Sequence, residues 1–303
     1  MNMRKYMVLA VCAALPALWS CSESSTEEPG IEYVVTSAPS FTYVADGTED
    51  GVVFTGASYS IAFNDEKHTA TIEMRNVRFA INESGANYVL SDVPFRGDNS
   101  TKARIISLDR VTPDKLSSPV FTNLEIVALA KKEIDINGDA TKPQETGGVA
   151  VSYIVDNRRS VVEIPVRTVF EGTTSTVNTT NQKSFVSSRS VYIVDIDVNK
   201  RKAVLRINDP SFDANMPSLG TMVFGSTDDA EMQQFGSIDV ILTEGGFNLK
   251  CDKLIPSIAG APYPRFAITN LKMTVIPGGK SELSFNCMVY SVAAVFGAAY
   301  TPE

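Results

Sequence analysis

Tryptophan and histidine are almost missing from this chain of 303 residues: each occurs once, as Trp19 and His68. A catalytic triad needs a base beside its nucleophile, and the single imidazole falls in the turn-forming run Asn64-Asp65-Glu66-Lys67-His68, where it reads as a solvated turn residue. No Gly-x-Ser-x-Gly elbow, phosphate-binding glycine loop or His-Glu-x-x-His occurs. Carboxylates are plentiful, but most fall in turns or on the polar faces of strands, so no glycosidase pair is located. The chain is expected to be non-enzymatic and to need no cofactor. Positive charge is also short: 27 Lys and Arg against 35 Asp and Glu give a net charge of −8, which repels phosphate backbones and excludes a nucleic-acid role. Apolar runs of spanning length are lacking. The nearest beyond the first twenty residues is Val292 to Tyr300, interrupted by Gly297. A calcium loop fails as well. Asp135-Ile136-Asn137-Gly138-Asp139 starts like one, but Ala140 and Thr146 stand where Gly and an acid are required, so residues 131–148 read as a polar connection.

What is present begins with a processing signal in residues 1–20. Arg4 and Lys5 precede an apolar run from Met7 to Leu18, closed by Leu18-Trp19-Ser20-Cys21. A small residue directly before Cys, after such a run, resembles the lipobox of bacterial lipoproteins. The resemblance implies cleavage before Cys21 and acylation there, which would hold the protein to a membrane without a spanning segment. Residues 21–31 follow as a tether. Ser22-Glu23-Ser24-Ser25-Thr26-Glu27-Glu28-Pro29-Gly30 has no large apolar residue to offset the entropy of ordering. Its acidic bias resembles the signal that exports lipoproteins of the Bacteroidota to the outer face of the outer membrane.

From Ile31 onward the pattern is period-two alternation, as in Thr69-Ala70-Thr71-Ile72-Glu73-Met74-Arg75. Similar strands are expected at Tyr59–Phe63, Val161–Val166, Val191–Ile196, Ala203–Ile207, Ile238–Leu242, Ile268–Ile276 and Leu283–Tyr290. Only Thr227 to Phe235 reads as a short helix. The fold class is all-β.

The alternation repeats. At a shift of 133 residues Tyr59 falls on Tyr192, Lys67 on Lys200, Ala70 on Ala203 and Phe79 on Phe212. At a shift of 147, Thr122-Asn123-Leu124 falls on Thr269-Asn270-Leu271, implying about fourteen extra residues in the second copy. Two related barrel or sandwich units are expected, 32–160 and 161–303. The run Ile72-Glu73-Met74-Arg75-Asn76-Val77-Arg78-Phe79, with its downstream Asn-Leu strand, resembles uncharacterised calycin-like lipoproteins of Bacteroidota. That resemblance implies a barrel-like fold and no established chemistry.

Four residues remain as site candidates. Cys21 is the lipidation site. Cys251 and Cys287 lie on or near strands of the second copy and form either a disulfide or two free thiols. Tyr263, between Pro262 and Pro264, is the exposed aromatic residue best suited to a surface contact. No metal site is expected. The leading expectation is a surface lipoprotein that binds a small apolar molecule or lipid. The alternative is an accessory protein of a nutrient-uptake system that binds a glycan or protein partner. A deep apolar cavity would favour the first, and filled interiors the second.

Overall fold

The computed structural model describes residues 31–37, 39–47, 51–98, 102–134 and 144–298. Cys21, the leader, residues 22–30 of the tether and the Asp135–Asp139 run lie outside them, whereas Ile31, expected to end the tether, opens the first strand. The first unit contains β1 (Ile31–Thr36), β2 (Ser40–Ala45), β3 (Val52–Thr55), β4 (Ser58–Asn64), β5 (Thr69–Val77) and β6 (Ala86–Pro94). It continues through β7 (Arg96–Asp98), β8 (Ala103–Val111), β9 (Phe121–Ile134), β10 (Gln144–Val155) and β11 (Arg159–Pro165). The second unit contains β12 (Arg167–Asn178), β13 (Ser184–Asp197), β14 (Lys202–Asn208), β15 (Thr221–Phe224), α1 (Asp229–Phe235), β16 (Ile238–Thr243) and β17 (Gly246–Leu254). The short β18 (Ser257–Ile258) and β19 (Ala261–Pro262) precede β20 (Ile268–Val275), β21 (Lys280–Cys287) and β22 (Tyr290–Ala298). The fold is all-β, in two related units.

Closure differs between them. In the second unit β12, β13, β14, β16, β17, β20, β21 and β22 pair in a ring of eight antiparallel strands. The first unit has the same strand sequence but forms two sheets, β1-β4-β5-β6 and β3-β2-β11-β10-β9-β8-β7. Proline accounts for the difference, because it cannot donate to a ladder. The twelve-residue β12 bonds both its neighbours, whereas its counterpart is divided into β1 and β2 around Pro39. A second division follows Pro94, between β6 and β7. The two sheets still enclose one apolar interior, with Ile61, Phe63, Ile72, Phe121, Ile126 and Tyr153 in a single buried cluster.

The repeat extends to register. Ile61 faces Ile72 as Val194 faces Leu205, and Thr36 faces Ser60 as Val169 faces Ile193. The Thr-Asn-Leu triplet proves to be a bulge. Asn123 and Asn270 both adopt left-handed backbone (φ 49 and 56), and the ladder slips at each. Asn tolerates that conformation better than most residues, which explains why the triplet recurs at the same structural place. The turn residues His68 and Arg201 also match, both at φ 53.

α1 begins on Asp228, whose side chain accepts from the N–H groups of Ala230 and Glu231, and ends at Gly236. It sits between β15 and β16, within the stretch where the second copy is longer. Two expectations change. The strand expected at Leu283–Tyr290 is broken, because Met288 turns with positive φ and begins a β21–β22 hairpin. The division expected at Ser160 falls inside β11, which pairs with β10 and β2 of the first unit.

The outer faces of β2 and β11 are apolar too. Tyr43, Ala45, Val162 and Ile164 join the core cluster of the second unit. Nearby, the β20–β21 turn seats Gly278 (φ 73) where a Cβ would lie 3.0 Å from Ala150 Cβ and Val127 Cγ2. Gly278→Val therefore combines left-handed strain of about 1–2 kcal/mol with a steric clash. We expect a lower urea midpoint; an unchanged midpoint would remove this contact from the account.

Candidate functional site

Aromatic and aliphatic side chains of the described residues pack into a buried cluster in each unit. Tyr59, Phe63 and Phe121 in the first unit and Phe170, Tyr192, Phe212, Phe224, Phe247 and Phe296 in the second are fully buried. Beside Tyr192 a void of about 20 Å³ has room for a single water. A drug-sized ligand occupies several hundred Å³.

The alternation places one carboxylate inside. Glu163 on β11, only 4% exposed, faces Thr42 on β2. Ser40 Oγ donates to its Oε2 at 2.6 Å; Thr42 Oγ1 and Tyr59 Oη donate to its Oε1 at 2.7 and 3.0 Å. Tyr153 Oη lies 2.9 Å from Tyr59 Oη and extends the chain. Burial raises the Glu163 pKa above the usual carboxylate range, while the three hydroxyl bonds oppose that rise. The Tyr59 and Tyr153 phenols are raised as well, burial being the largest cause.

The second unit keeps half of this arrangement. Tyr192 bonds Thr174 at 2.8 Å, and burial pushes its phenol up to about 12. Across from Thr174 stands Ala294, where the first unit has Glu163, and Phe285 stands in the place of Tyr153. Glu163 was not visible as an interior residue in sequence. The apolar run Val161-Val162-Glu163-Ile164 gave the signal, but period two alone does not say which face is inward.

Other candidates resolve as follows. His68 is exposed, in its turn. Cys251 and Cys287 are free thiols. They lie on β17 and β21 with β20 between them, Cys251 facing Leu271 and Cys287 facing Ile268. That separation exceeds disulfide reach. Burial pushes the Cys287 thiol up to about 12. Tyr263 is 38% exposed, and its ring stacks on Phe266 at 5.4 Å and 18°. A third feature had no sequence signal. A groove of about 490 Å³ opens on the wall of the second barrel, lined by residues of the β13–β14 turn, β14, β16 and β17.

No family model matches the chain, and no curated protein matches it. Among solved structures, the isotype 1 transferrin binding protein B from serogroup B Neisseria meningitidis aligns over 90% of this chain and 77% of its own. Identity is 9% and the TM-score 0.23, a level of likeness that assigns no function.

In the folded state Glu163 keeps its proton to a higher pH than in the unfolded chain, where its pKa is about 4.3. Between those two values the folded state binds the extra proton, so stability falls as pH rises through the window and levels off above it. Glu163→Gln should flatten that component and raise the melting temperature relative to wild type above the window. Parallel melting profiles against pH for the two proteins would contradict the assignment. Glu163→Ala, which leaves three hydroxyls without their acceptor, should cost about 1–3 kcal/mol in denaturant unfolding.

Proposed function

We propose that the chain is a non-enzymatic lipoprotein of a bacterial outer membrane, held by acyl chains on Cys21, that binds its partner or ligand on the outside of its sheets. The single observation that carries this reading is the packing of both interiors with aromatic and aliphatic side chains. It favours an accessory role in capturing a glycan or protein partner over carriage of an apolar molecule, which needs an empty barrel mouth. Tyr263 supports the glycan version: prolines on both sides fix its backbone, and one ring face rests on Phe266. The acidic tether and the lipobox-like Ser20-Cys21 support surface display.

Three measurements test this reading. Titration with a fluorescent fatty acid should give no saturable signal; stoichiometric binding reversed by unlabelled fatty acid would restore the carrier reading. Cys21→Ala should move the protein out of the membrane fraction, and protease added to intact cells should degrade the wild type. Retention of the variant in membranes would exclude the Cys21 anchor, and protection of the wild type would exclude surface display.

A further inference from the structure

The groove gains meaning from its counterpart in the first unit. Its rim carries Lys200, Arg201, Lys202 and Lys250 with Asp239 and Asp252; Ile241, 49% exposed, is the apolar side chain on this outer face, while Val240 and Cys251 turn toward the core. One cross-strand row runs through it, Lys202 facing Asp239, Asp239 facing Lys250, and Lys250 facing Lys272. The equivalent row in the first unit reads Thr69, Pro94, Ser107 and Glu125. There Ser107 donates to Glu125, and no cation is present. At the adjoining turn His68 stands where the second unit has Arg201.

The turn beside the groove has a counterpart in the first unit. The N–H of Phe95 donates to the carbonyl of His68 as the N–H of Val240 does to that of Arg201, so the two positions are structurally the same. In the first unit the Phe95 ring packs edge-on against Phe63 at 5.0 Å and fills the seam. In the second, Val240 occupies that position and Ile196 that of Phe63, and both are buried in the core.

Two cations of the rim are already engaged. Lys200 pairs with Asp229 at 3.0 Å, and Lys202 with Asp239 at 2.6 Å. Arg201 and Lys250 have no side-chain partner among the described residues. In a chain of net charge −8, two uncommitted cations beside the exposed Ile241 form a complementary surface for an anion with a carbon skeleton. We propose that this groove binds a small organic anion, a carboxylate or phosphate ester, with Arg201 and Lys250 on the charged group and Ile241 against the carbon skeleton. The assignment deepens the outer-surface reading and rests on it.

The full chain in detergent can be titrated by calorimetry with D-glucuronate, glucose 6-phosphate and, as the neutral reference, D-glucose. At least one anion should bind about tenfold or more tightly than glucose and weaken as salt is raised. The Arg201→Ala/Lys250→Ala variant should lose about tenfold or more in affinity with an unchanged circular dichroism spectrum. Whichever anion binds tells carboxylate from phosphate recognition. The proposal is overturned if neither anion saturates the protein at roughly millimolar concentration, if glucose binds equally, or if the folded double variant binds the anions as wild type does. Fatty-acid uptake in the separate titration above would instead sink the outer-surface reading, so the two failures are distinguishable.

Discussion

Cross-strand register is the constraint on which the rest of this structure depends. Side chains alternate along a strand, so a slip of one residue would expose Ile61, Ile72, Val194 and Leu205 together and bury their polar neighbours. The register is pinned at the same points in both units, by the turns at His68 and Arg201 and by the bulges at Asn123 and Asn270. With those points held, the residues between them can diverge, and the two interiors and the two walls have done so.

Divergence inside the units is chemical. Tyr59 and Tyr192 hold the same place, each beside a threonine of the neighbouring wall strands. The first unit adds a carboxylate and a second phenol, and the second unit replaces both with Ala294 and Phe285. Divergence in the walls concerns closure and charge. Pro39 and Pro94 divide the first unit into two sheets, while the second completes a ring and bears the lysine row on its outer face.

Much of the fold could be read from residue patterns. Alternation located β4, β5, β14, β16 and β20 within a residue or two, and the duplication was visible in Tyr59/Tyr192 and the Thr-Asn-Leu triplets. Short or mixed strands such as β1, β8 and β12 were not visible, because their ladders depend on partners far away in sequence. The same is true of the sites. A disulfide is excluded by the presence of β20 between Cys251 and Cys287, which spacing along the chain cannot reveal. The groove draws Arg201 and Lys250 together from the β13–β14 turn and β17, a meeting apparent only once the strands are in register.

The phenol–carboxylate chain has an optical consequence. Residues 21–303 contain no indole, so their ultraviolet emission comes from tyrosine alone. Once Glu163 has lost its proton, Tyr59, bonded to it and adjacent to Tyr153, has the setting in which a carboxylate draws on the excited phenol's proton and dims it. The folded first unit therefore carries its own dark reporter, which brightens when that interior opens.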